Sequence, residues 1–251
     1  MKKLILPIAA SIFLLSCVTE EEAFRIRSDS FVLGYYELAS LQIYEGEGRS
    51  ILIFENTEEE MISAQNRAAE FETLNAAHGD TGYNQEILYF IMPNIYITPD
   101  FRVVDISSDA DFDDAHPAGA SLGDITRFIS ISPFKHIESG YRDTLDWKKL
   151  PAYGEFVGYW SFLAPKGYYD PCGGQNYFPV DRRVSELTRA DLSVLGRGEH
   201  KTIGWERPGV CPLAVVKFLK EPTASKAHNI TVRFTDVHGR DYVSNSLEMA
   251  F

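Results

Sequence analysis

Asn229-Ile230-Thr231-Val232-Arg233-Phe234-Thr235 decides the fold. Ile230, Val232 and Phe234 alternate with Thr231, Arg233 and Thr235. Residues two apart share one face of a strand, so three large apolar side chains enter a core and the polar ones face outward. Asp236-Val237-His238-Gly239-Arg240 has the composition of a turn, and Tyr242-Val243-Ser244 brings the chain back. The pattern is that of a β-hairpin near the C-terminus.

Working outward, the same signature recurs along the chain. Short runs rich in aromatic and β-branched residues predict strands over 31–44, 50–55, 86–92, 101–107, 126–132, 155–163, 213–219, 229–235 and 240–246. Clusters of Gly, Pro, Asn and Asp separate them, as turns require. One segment departs from this pattern. Thr57 precedes Glu60 at the spacing of a capping box, and Met61, Ala64, Ala68 and Phe71 follow at intervals of three and four. Glu58, Glu59 and Glu60 would complement the dipole of a first turn, and Gly79 supplies a stop. These features predict a helix over 57–78, with a shorter helical turn around Arg189 to Leu195. Strands and helices do not alternate regularly, which argues against a doubly wound sheet. The expected fold is mainly β: a β-sandwich or barrel-like domain spanning 30–251, with one helical insertion.

The N-terminus belongs to a different class of sequence. Lys2 and Lys3 precede an apolar run from Leu4 to Leu15, broken only by Pro7 and Ser11. Such a run is shorter than the roughly 20 residues that span a bilayer, and its profile is that of a secretory signal peptide. It ends in Leu14-Leu15-Ser16-Cys17, which resembles the lipobox of bacterial lipoproteins. The resemblance implies cleavage after residue 16, acylation of Cys17 and a stable membrane anchor through several acyl chains. Residues 17–29 then read as a lipidated tether. Its Glu20-Glu21-Glu22 resembles the surface-export signal of lipoproteins of the Bacteroidetes, and an anchor facing the periplasm is the alternative.

Composition narrows the function. The formal net charge is −12, and loss of residues 1–16 removes Lys2 and Lys3 and no acid, bringing it to about −14. Such an acidic chain disfavours nucleic acid and anionic lipid as partners. After Cys17 only Cys172 and Cys211 remain, both in turn-rich surroundings. An exported setting permits a disulfide between them, which would stabilise the fold by about 4 kcal/mol in the chain-entropy picture. Two separate thiols are the other reading.

Several constellations are candidate sites. Asp109, Asp111 and Asp113 stand at alternate positions, like the opening of a calcium loop with its hard oxygen ligands. Asp114 and Ala120 replace the glycine and glutamate of that motif, so the segment is not an EF-hand. It is either a looser calcium site or an acidic loop whose aspartates cap turns. Gly119-Ala120-Ser121-Leu122-Gly123 has the letters of a nucleophile elbow, but no buried strand precedes it. Ser121 is therefore a hydrolase nucleophile or part of a glycine-rich turn. Residues 153–178 are unusually aromatic; Tyr168, Tyr169 and Tyr177 sit beside turn residues and are candidates for glycan or peptide binding.

The leader, the phrase Asp111-Phe112-Asp113-Asp114-Ala115-His116-Pro117-Ala118-Gly119 and the closing hairpin together resemble lipoproteins of the Bacteroidetes. The resemblance implies lipid-anchored export and carries over no catalytic residues. The sequence thus points to an outer-membrane lipoprotein that is a non-catalytic binding or accessory module for a glycan or an envelope protein. The alternatives are a structural component of an envelope complex and a hydrolase using Ser121.

Overall fold

The computed structural model describes residues 25–88, 95–145, 178–195, 199–200, 209–210 and 212–251. The strand that contains Ile230, Val232 and Phe234 runs from Ala227 to Asp236 and alternates buried and solvent-facing positions along its length, with these three side chains fully buried. Its partners define one layer. Phe101–Ser108 pairs antiparallel along one edge. Asp241–Val243 and Leu247–Ala250 pair along the other. The turn between Asp236 and Asp241 is closed by Asp236, whose Oδ1 accepts from the N–H groups of His238 and Arg240, and by Gly239 at φ 86°.

In chain order the strands are β1 (Arg25–Ser28), β2 (Gly34–Gly46), β3 (Ser50–Ile62), β4 (Gln85–Leu88), β5 (Ile95–Ile97), β6 (Phe101–Ser108), β7 (Thr126–Ser132), β8 (Phe178–Arg183), β9 (Glu199–His200), β10 (Gly209–Val210), β11 (Ala214–Phe218), β12 (Ala227–Asp236), β13 (Asp241–Val243) and β14 (Leu247–Ala250). The larger sheet has the order β5-β2-β3-β11-β7-β8. It faces the β6, β12, β13 and β14 layer. Between them lies a core that includes Leu41, Ile43, Ile53, Phe128 and Val216 from one sheet and Val104, Ile106, Ile230, Val232 and Phe234 from the other. The fold is a mainly β sandwich with a helix, and among the described residues the strands form no closed barrel.

One corner of the sandwich is fastened by a side chain. The Asn245 Oδ1 accepts from the Ile43 N–H at 2.7 Å, and its Nδ2 donates to the Ile43 carbonyl at 3.2 Å. The amide takes the place of a strand neighbour for β2 where the two layers meet, and Leu41 bridges to Ser244 beside it.

The larger sheet is buried on its other face as well. Leu52, Ile129, Ile131 and Val215 point away from the first core, into a second cluster with Phe31, Val32, Tyr35, Phe71, Tyr83, Tyr96 and Ile137. Burial on both faces fits β11, which reads as a nearly unbroken apolar run, and in β7 it encloses Ser130 and Ser132 along with Phe128, Ile129 and Ile131. The cover of this second face comes from helix α1 (Ala68–Ala77) and the segment Ser30–Leu33. Among the described residues no helix is long and apolar enough to cross a membrane.

The helix corrects the sequence reading. Strand β3 continues through Thr57 and Glu60 to Ile62, and helix α1 begins only at Ala68. Pairing decides the matter: β3 is laddered to β2 as far as Tyr36↔Met61 and Tyr35↔Ile62. Two register shifts in β2, around Leu38, carry the hairpin past the acidic run. Glu58, Glu59 and Glu60 are exposed and fit a strand edge as well as they fit a helix. The capping box lies elsewhere, at Thr188 and Asp191, opening the short helix Arg189–Leu192 in the predicted 189–195 region. Strand β1 falls within the stretch read as tether and pairs with β4. Its Arg-Ile-Arg-Ser composition offers one apolar residue and no pattern to read. The strand expected over 155–163 lies outside the described residues.

Candidate functional site

Helix α1 organises the site through the way it ends. The Gly79 N–H donates to the Ala76 carbonyl at 3.1 Å, and the Asp80 N–H to the Asn75 carbonyl at 2.8 Å. Gly79 has φ 72°, which only glycine adopts without strain, so the ending is a Schellman motif. The reversal turns Asp80 inward immediately after the helix.

The Asp80 side chain is fully buried. Its Oδ1 accepts from the Phe31 N–H at 2.7 Å and the Tyr141 hydroxyl at 2.8 Å, and its Oδ2 accepts from the Val32 N–H at 2.8 Å. All these contacts are acceptor roles, as an ionised carboxylate provides. Burial raises the carboxyl's pKa, and the Val32, Phe31 and Tyr141 donors oppose the rise. The same environment pushes the Tyr141 hydroxyl up to about 12, by burial first. Asp80 thus fixes the backbone that leads into β2 against the end of α1.

A second polar group lies on the same helix. The Tyr35 hydroxyl donates to Asn75 Oδ1 at 2.9 Å and stands 3.2 Å from His78 Nδ1. Burial lowers the His78 pKa, so the neutral imidazole is favoured there. The Tyr35 ring stacks on His78 at 5.9 Å and leans on Phe71 at 6.1 Å.

Above these anchors a cleft of about 400 Å³ opens between the β1–β2 connection, the end of β3 and helix α1. Leu33, Met61 and Phe71 supply apolar walls, and Arg27, Asp29, Glu72, Asn75 and Asp80 the polar ones. Met61 lies across Gly34, where a Cβ would come within 2.6 Å of its sulfur, so the glycine gives the thioether its seat. Arg27 is held at its side of the cleft by a 2.8 Å hydrogen bond from Nε to Asn84 Oδ1. A cavity of mixed apolar and polar lining on a pre-fixed scaffold is the usual form of a small-ligand site.

Among the described residues, none of the site residues read from the sequence lines this cleft. Asp109, Asp111 and Asp113 sit on the loop after β6. The Asp109 carboxylate accepts from the Asn229 N–H at 2.8 Å and its Nδ2 at 2.7 Å. Asp111 accepts from the Ala118 N–H at 2.8 Å. Asp113 accepts from the N–H groups of Ala115 and His116, from His116 Nδ1 at 2.7 Å and from Lys220 Nζ at 2.6 Å. Among the described residues no three His, Cys, Asp or Glu side chains converge as a metal would require. The Ser121 hydroxyl donates to Asp105 Oδ1 at 2.5 Å, and Ser121 bridges to Ser107 of β6. The chain then enters strand β7 rather than a helix, so the strand–turn–helix setting of an elbow is not formed. Cys17, Cys172, Cys211, Tyr168, Tyr169 and Tyr177 lie outside the described residues.

The acidic loop does contain an unexpected clamp. His116 is buried, with Nδ1 on Asp113 and Nε2 on Asp124 at 2.9 Å. Burial pulls its pKa down, but the two carboxylates outweigh burial and raise it. Lys220 first, and His116 second, hold the Asp113 carboxyl well below the usual range. Both ring nitrogens donate only in the imidazolium, so the clamp is a charged one. Next to it Phe112 is fully buried and stacks on Phe218 at 5.8 Å, which pins the loop to the first core.

No family model, curated protein or solved structure matches the chain.

Proposed function

We propose that this chain is an exported, lipid-anchored binding module of the outer membrane, tethered through Cys17, whose ligand seat is the cleft between β1, β3 and α1. The cleft carries the reading. Its volume suits a small ligand or a few side chains of a larger one, and Asp80 holds its walls in place before any ligand arrives. Its lining combines apolar side chains with charged ones of both signs, which can orient a ligand as well as hold it. The leader supports the anchor, and the net charge of −12 suits a soluble domain in the envelope.

The test is the melting temperature of the full chain in detergent against calcium, EDTA, a panel of glycans and short peptides of both charges. A ligand that binds only the native state stabilises it by about 2.7 kcal/mol at a hundredfold excess over its Kd. At least one member of the glycan or peptide panel is expected to raise the melting temperature. A flat response across the whole panel contradicts the binding reading. Replacing Cys17 by Ser is expected to move the chain from the membrane fraction to the soluble one.

A further inference from the structure

Among the described residues, the lining of the cleft is uneven in charge: one basic residue, Arg27, against Asp29, Glu72 and Asp80. The acids differ in what they have left to give. Asp80 is consumed by its three donors. Asp29 and Glu72 are exposed, and among the described residues neither carboxylate has an ion-pair partner. One stands on the connection after β1 and the other on helix α1, so they reach the cleft from different elements. Arg27 spends its Nε on Asn84.

Asn75 adds an independent observation. It is 4% exposed and lines the cleft. Its Oδ1 is taken by the Tyr35 hydroxyl, and among the described residues its Nδ2 has no protein acceptor and is open to solvent. The side chain is anchored by Tyr35, and its solvent-reached donor can be taken over by a ligand acceptor such as a peptide carbonyl. The remaining surface, Leu33, Met61 and Phe71, is aliphatic, thioether and a single ring. Methionine adapts to a flexible apolar chain, and the long stems of lysine and arginine bury readily along such surface.

Resting on the binding reading above, we propose that the cleft takes a lysine or arginine side chain presented by another exported polypeptide. The aliphatic stem lies on Leu33, Met61 and Phe71. The cationic head reaches Asp29 and Glu72, and Asn75 Nδ2 donates to a carbonyl of the same segment. The acidic charge of the whole domain draws a basic segment toward the site, an effect that weakens as salt rises.

Met61 provides a local probe. The chain has four methionines; Met61 lines the cleft, and Met249 is buried between the two sheets and serves as an internal control. The full chain, labelled with 13C at the methionine methyl groups, is titrated in detergent with Nα-acetyl-lysine-N-methylamide, its norleucine counterpart and its glutamate counterpart. The lysine probe is expected to shift the Met61 methyl saturably and leave Met249 in place. In Asp29→Asn/Glu72→Gln, two changes at exposed positions that leave the fold intact, the lysine midpoint is expected about tenfold higher. The norleucine probe should bind the wild type as weakly as the lysine probe binds that variant. Equal midpoints for lysine and norleucine overturn the proposal, as does an unchanged lysine midpoint in the variant or a silent Met61. If Met61 stays silent with lysine while a glycan raises the melting temperature, and Ala64→Trp at the exposed lip of the cleft abolishes that rise, the binding reading stands and the cationic ligand falls.

Discussion

Asp80 is the residue on which the site depends. Two backbone N–H groups and a hydroxyl converge on it, and an amide cannot replace it: the Nδ2 of an asparagine would face a donor. Asp80→Asn is therefore expected to destabilise the fold by about 2–4 kcal/mol, read from denaturant unfolding. Tyr141→Phe removes one of the three hydrogen bonds and should cost only about 1 kcal/mol. Nothing local marks Asp80 in the sequence. Gly79 is readable as a helix stop and sits where a stop was expected, but the partners of the next residue are Phe31 and Val32, 49 and 48 positions away. Long-range hydrogen bonds of this kind leave no periodicity behind. The aspartates that do stand out, Asp109, Asp111 and Asp113, attract notice by their even spacing, and in the fold their carboxylates receive donors from their own loop, from Asn229 of β12 and from Lys220.

At the scale of elements, the acidic loop and the β2–β3 hairpin make opposite points. The clamp of His116 between Asp113 and Asp124 has a definite pH signature. The raised imidazole contributes stability that is full below its ordinary value of 6.5 and is lost as pH rises through the higher folded value. The lowered Asp113 and Asp124 carboxyls contribute stability above 3.8 that is lost as pH falls. The loop is thus tightest between these limits. The melting temperature of the wild type, compared with His116→Gln, should show an advantage near pH 6 that shrinks toward pH 9. A constant difference across that range would mean that the imidazolium charge plays no part. In the hairpin, Thr57 and Glu60 have the spacing of a helix start and lie in a strand. A helix-capping threonine costs about 1 kcal/mol when lost, whereas a β-branched replacement suits a strand. Thr57→Val should accordingly be neutral or mildly stabilising. Local spacing was ambiguous here because pairing with Tyr35 and Tyr36 of β2, not propensity, selects the conformation.

For the molecule as a whole, the sandwich was legible where one face of a strand is wet. The alternation in β12 states which side is core, and Phe234→Ala, opening a void between the two sheets, is expected to cost about 3–5 kcal/mol. The second buried face of the larger sheet was harder to read. Burial on both faces leaves β11 without a polar face to read, and in β7 it takes in Ser130 and Ser132 beside the apolar residues, so the sequence reveals strands there but not that a helix and the Ser30–Leu33 segment cover them. The cleft belongs to that covering layer, which is why no motif announced it. Its central role is tested most directly by blocking it. Ala64 is exposed at its lip, and a tryptophan there fills the space without entering either core. The decisive measurement is the melting temperature of the full chain and of Ala64→Trp, each with and without the panel member that stabilises the wild type. The variant is expected to melt as the free wild type does and to lose the ligand-induced rise. A rise of the same size in Ala64→Trp would place the ligand elsewhere and contradict the assignment of the cleft.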